Sequence, residues 1–145
     1  MKLVPLTAAA FFAATSVFAA GVPGGHFVEN WDLDGNGSVS LAEVAERRSD
    51  IFATFDANEN GSLDAEEYAD FDEARRLDME SNGAGEGHGK GGMKMVQQGM
   101  KLNFNDADGD GVVTQDEFMA AVPKWFAMMD RTGDDVVDTQ DFAKR

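Results

Sequence analysis

Apolar residues fall on this chain in two patterns: stripes at helical spacing, and single aliphatic positions inside long polar runs. Ile51, Phe52 and Phe55 lie five, four and one positions ahead of Asp56, and Trp125, Phe126 and Met129 stand in the same places ahead of Asp130. Each set makes one face of a helix that runs up to an aspartate. Met93, Val96, Met100 and Phe104 form a further stripe, which predicts one helix over 93–104. A helix over 66–79 and a short stub over 26–31 complete the set, and the glycine-rich stretch from Ser81 to Gly92 reads as a flexible linker.

The polar runs between the stripes repeat. They read DLDGNGSVSLAE (32–43), DANENGSLDAEE (56–67), DADGDGVVTQDE (106–117) and DRTGDDVVDTQD (130–141). The first residue is always aspartate (Asp32, Asp56, Asp106, Asp130), and the eighth is always aliphatic (Val39, Leu63, Val113, Val137). One such run is a common polar turn; a run that recurs is an internal repeat and takes precedence over local readings.

These runs resemble the calcium loops of the EF-hand family, with side-chain oxygens at positions 1, 3, 5, 9 and 12 and glycine at position 6. A hard cation takes six to eight oxygens at about 2.3–2.6 Å, and a short loop can wrap them around it. The resemblance implies the following ligands. Loop 1 offers Asp32, Asp34, Asn36, the Ser38 carbonyl, Ser40 through water, and Glu43. Loop 2 offers Asp56, Asn58, Asn60, the Ser62 carbonyl, Asp64 and Glu67. Loop 3 offers Asp106, Asp108, Asp110, the Val112 carbonyl, Thr114 and Glu117, with more carboxylates than loops 1 or 2, and is expected to bind tightest. Loop 4 offers Asp130, Thr132, Asp134, the Val136 carbonyl, Asp138 and Asp141, and departs from the pattern. Thr132 is a weaker oxygen at position 3. Asp135 replaces glycine at position 6, where positive φ is needed. Asp141 has a shorter stem than glutamate. Loop 4 is therefore expected to be the weakest, leaning toward Mg2+. The implied cofactor is Ca2+, up to four ions, with lanthanide ions as an alternative.

The gaps between loops bear on fold. Only 12 residues separate Glu43 from Asp56, and 12 separate Glu117 from Asp130, against 38 between loops 2 and 3. Twelve residues in one helix span about 18 Å, too far for the contact of about 5 Å that pairs strands. The expected fold is therefore all-α, with short two-stranded contacts joining loop 2 to loop 3 and loop 1 to loop 4. Pro123 is expected to kink the second rod or to start a new helical turn. Four loops, short gaps and an export signal also resemble lanmodulin, a periplasmic lanthanide-binding EF-hand type. That type carries proline at loop position 2, where this chain has Leu33, Ala57, Ala107 and Arg131.

Composition adds the setting. Twenty-seven acidic residues stand against 12 basic ones, for a net charge of −15. This balance argues against nucleic acid as a partner and favours cations. Met1-Lys2, the apolar run Leu3–Phe18 and the small residues Val17 and Ala19 read as a signal peptide over 1–19. The expected division is then 20–80 with loops 1 and 2, the linker 81–92, and 93–145 with loops 3 and 4. The mature chain is expected to be periplasmic or secreted, monomeric and without a membrane span. The protein has no cysteine, so bound metal is expected to take the stabilising place of disulfides. With two histidines and no nucleophile motif, the chain is not expected to be an enzyme. His88, Met93 and Met95 hold copper(I)-type donors, but a linker followed by inward-packing methionines is the simpler reading. A metal-opened, methionine-lined groove for a protein partner is the alternative to a simple binder, carrier or scaffold.

Overall fold

A computed structural model describes residues 22–81 and 90–143; the expected signal peptide and most of the linker, His88 included, lie outside the described residues. The elements are α1 (Gly25–Trp31), α2 (Leu41–Phe55), β1 (Ser62–Leu63), α3 (Ala65–Ser81), α4 (Lys90–Gln98), α5 (Leu102–Asn105), β2 (Val113–Thr114), α6 (Gln115–Ala120) and α7 (Val122–Met129). The fold is mostly helical with one small antiparallel sheet, as the repeat predicts.

α2 runs unbroken across the first 12-residue gap. Its start is fixed by a capping box: the Ser40 hydroxyl accepts from the Glu43 N–H while the Glu43 carboxylate accepts from the Ser40 N–H. Thr114 and Glu117 cap α6 in the same way. The second gap is divided at Ala121, with Pro123 in the first turn of α7, where its missing N–H costs nothing.

Loop pairing follows the gap argument. Leu63 pairs with Val113 and Ser62 with Thr114. Val39 and Val137 form an isolated bridge, exchanging two hydrogen bonds of 2.8 Å. All four eighth-position side chains are buried, so the pairs nest, loops 2 and 3 within loops 1 and 4.

The stripe from Met93 to Phe104 is not one helix. It breaks after Gln98, and α5 starts again at Leu102. Trp125 of α7 packs against the break: a Cβ on Gly99 would lie 1.9 Å from its ring, so only glycine passes beneath the indole. The break frees two carbonyls from the helical ladder. That of Gly99 accepts from Arg48 Nη1 at 3.1 Å and from Asn105 Nδ2 at 3.1 Å; that of Met100 accepts from the Tyr68 hydroxyl at 2.7 Å. Two further differences are smaller. α3 extends to Ser81, past the expected end at Met79, and α4 begins at Lys90, inside the expected linker.

The core is a single cluster drawn from both halves of the chain. Phe27, Trp31, Trp125 and Phe142 pack together beneath loops 1 and 4. Phe52, Phe55, Tyr68, Phe71 and Phe118 pack beneath loops 2 and 3. Arg48 lies between the groups, its guanidinium carbon 3.9 Å from the Phe118 ring centroid and 5.1 Å from that of Trp125. It donates to the Phe118 carbonyl at 2.8 Å and to Asn105 Oδ1. Burial lowers its pKa to about 10, still far above neutral pH, so the cation is retained.

Candidate metal centres

Each loop opens where an entering helix ends. The N–H groups of Asp32, Asp56, Asp106 and Asp130 donate to carbonyls four residues back at 2.8, 2.9, 2.8 and 2.9 Å. The chain then turns sharply, and the first aspartate stays at the centre of the turn. Its Oδ2 accepts from the sixth-position N–H of Gly37, Gly61, Gly111 or Asp135 at 2.7, 2.9, 3.0 and 3.0 Å. That turn needs positive φ, which is 90°, 80° and 85° at the glycines and 67° at Asp135. The strain expected at Asp135 is present.

The odd positions face one another through a ladder of short bonds. Asp34, Asn58 and Asp108 accept from the N–H groups of Asn36, Asn60 and Asp110 at 3.0, 3.0 and 3.1 Å. Asn36, Asn60 and Asp110 accept in turn from Ser38, Ser62 and Val112 at 2.9, 2.9 and 2.8 Å. Loop 4 is looser here. Thr132 takes no part in the ladder as an acceptor; its hydroxyl lies 3.4 Å from Asp130 Oδ1, and the Val136 N–H lies 3.4 Å from Asp134.

The twelfth residue closes each loop from both sides. One oxygen of Glu43 accepts from the N–H groups of Leu33 and Asp34, and the other from Ser40. Glu67 joins Ala57 and Asn58 to Asp64, and Glu117 joins Ala107 and Asp108 to Thr114. Asp141 does the same despite its shorter stem, holding Arg131 and Thr132 at 2.7 and 2.9 Å and Asp138 at 2.9 Å. It reaches because loop 4 leads into a tight turn, with Phe142 N–H donating to the Thr139 carbonyl, which draws Asp141 inward until it is 2% exposed.

The side chains gather acid unevenly. Oxygens of Asp32, Asp34 and Glu43 lie within 4.8 Å of one another, and so do those of Asp106, Asp108 and Glu117. Loops 2 and 4 carry Asn58 and Thr132 where these carry aspartate. Burial works to raise the Glu43 pKa, but the Ser40 N–H and hydroxyl and the N–H groups of Asp34 and Leu33 together hold it below its ordinary value. The Thr114 N–H and hydroxyl do the same for Glu117. Asp108 accepts from Asp110, which favours its charge, yet lost hydration and the carboxylates of Asp110, Glu117 and Asp106 raise its pKa on balance. Crowded like charges of this kind are relieved by a bound cation.

The fourth loop position matters as well. Gly35, Gly109 and Gly133 take φ of 75°, 77° and 75°, and Glu59 takes 56°. Their recurrence in three of four repeats is the sequence signal for this second turn. Arg48, Tyr68 and Asn105 are the other residues that periodicity alone leaves unmarked.

Helix, 12-residue oxygen-lined loop and capped exiting helix, paired through the eighth residues, define a cation-binding helix–loop–helix protein. A family model described as EF hand matches residues 49–72 and 102–123, the spans that hold loops 2 and 3. These two segments are EF-hand segments, and with the acidic clusters of loops 1 and 3 they support the EF-hand calcium-binding superfamily. No curated protein sequence matches the chain.

Proposed function

We propose that this chain is an exported calcium-binding protein that compacts when its loops fill, acting as a buffer, carrier or metal-stabilised scaffold. One observation carries the reading: in all four loops the closing carboxylate already ties the two ends together. A cation held by that carboxylate would be coupled directly to the start of the following segment. The ligands are those of the repeat: positions 1, 3, 5, 7, 9 and 12 of each loop, from Asp32 to Glu43, Asp56 to Glu67, Asp106 to Glu117 and Asp130 to Asp141. Loops 1 and 3, with three clustered carboxylates, are the strongest sites, and loop 4 is the weakest. Export is supported by Lys2 and the apolar run Leu3–Phe18. Lanthanide handling is a narrower form of the same reading, supported by the four loops, the short gaps and the signal-like N-terminus.

The test is titration of the calcium-free chain with calcium, magnesium and lanthanum, followed by circular dichroism and an apolar-surface dye. Helicity should rise and dye binding fall on loading. Unchanged helicity with all three ions would remove the compaction reading. Dye binding that rises on loading would point instead to a sensor. A lanthanum preference no greater than that of an isolated ordinary EF-hand loop would remove the lanthanide form.

A further inference from the structure

A cavity of about 550 Å3 opens among α1, α2, α3 and α4, within the size range of about 300–1,000 Å3 typical of small-molecule sites. No loop residue lines it, so it is distinct from the metal centres. Its wall is largely apolar, with Trp31, Ile51, Phe55, Phe71 and Val96 among its side chains.

The charge at its edge is unusual for this chain. Among the described residues, Arg47 from α2, Arg75 from α3 and Lys94 from α4 line it, against one carboxylate, Asp78. The protein as a whole has more than twice as many acidic as basic residues, so the cavity is a local inversion of its charge. Asp78 lies 3.2 Å from His26 Nε2. Arg75 is engaged by Asp72 and by Gln97 Oε1 at 2.7 Å. Arg47, half-buried, and Lys94, exposed, make no hydrogen bond or ion pair among the described residues. A half-buried guanidinium beside an apolar void is best satisfied by an anion that brings its own apolar body.

We propose that this cavity binds a single-chain amphiphile with a carboxylate head, the hydrocarbon tail lying against the aromatic wall and the head meeting Arg47 and Lys94. The positive edge disfavours cationic amphiphiles and basic peptide helices alike. The volume suits one small molecule.

The experiment uses the calcium-loaded chain and micromolar decanoate, decanol and decyltrimethylammonium, read by calorimetry and tryptophan emission; Trp31 lines the cavity and Trp125 does not. Decanoate should saturate at one per chain, bind about tenfold tighter than decanol, and be lost on Ile51→Trp, which fills the space. Arg47→Glu should weaken decanoate by about tenfold or more while leaving decanol unchanged. A calcium titration of Arg47→Glu without ligand should match the unaltered chain, so a failure of the metal reading would show separately. Equal affinity for all three head groups, no effect of Arg47→Glu, or binding only to vesicles of acidic lipid would each overturn the proposal.

Discussion

Arg48 carries a charge into the middle of the molecule with no carboxylate to meet it among the described residues. It is held by carbonyls of Gly99 and Phe118, by Asn105 and by two aromatic faces. A buried group held this way is costly to remove alone, because its acceptors lose their donor. Arg48→Ala should lower the stability of the calcium-loaded chain by about 3 kcal/mol or more, and Arg48→Met by less because it keeps the volume; urea denaturation reads both. Adjacent Arg47 and Arg48 look alike in sequence, and only the packing of α6 and α7 decides which one is buried. Asp135 was easier to see, since the repeat asks for glycine there. Asp135→Gly should stabilise the calcium-free chain by up to about 1 kcal/mol and tighten calcium at loop 4, as calorimetry would show. Glu43 gives a pH test. Its folded pKa lies below the ordinary 4.5, so in the calcium-free chain its contribution is complete above that value. It is lost as pH falls through the lower folded value. Glu43→Gln should flatten that part of the acid-unfolding curve, measured by thermal melts from about pH 6 to pH 3.

At the scale of elements, the loop pairing was legible because two 12-residue gaps leave no room for a helical hairpin. Loop 2 had to look to loop 3, and Leu63 meets Val113. Val113→Ala should therefore cost about 2 kcal/mol and weaken calcium binding at loops 2 and 3 together while sparing loops 1 and 4, as site-resolved NMR titration would report. The break after Gln98 was not legible. The Trp125 ring that packs over Gly99 there arrives from α7, and the local stripe of Met93, Val96, Met100 and Phe104 reads as continuous. Gly99→Ala should destabilise by about 1–3 kcal/mol through overpacking and shift Trp125 emission.

Across the whole molecule, charge and core oppose each other. The sequence shows both the net charge of −15 and the apolar residues, but not that one aromatic cluster joins both halves of the chain. Without calcium the crowded carboxylates repel over distances that salt controls: the screening length falls from about 10 Å at 0.1 M to about 3 Å at 1 M. Raising sodium chloride over that range should shrink the calcium-free chain in small-angle scattering and leave the calcium-loaded chain nearly unchanged. Magnesium should act partway between the two.

The nested bridge between Val39 and Val137 also sets an order in time. Loop 1 comes first in the chain, but its strand partner lies nearly one hundred residues further on, whereas Leu63 and Val113 are closer in sequence. Contacts so distant in sequence slow folding. The inner pair therefore closes across a shorter stretch of chain than the outer pair, and when the whole chain folds Leu63 should meet Val113 before Val39 meets Val137. A chain cut between loops 3 and 4 would keep the inner pair and leave Val39 without its counterpart.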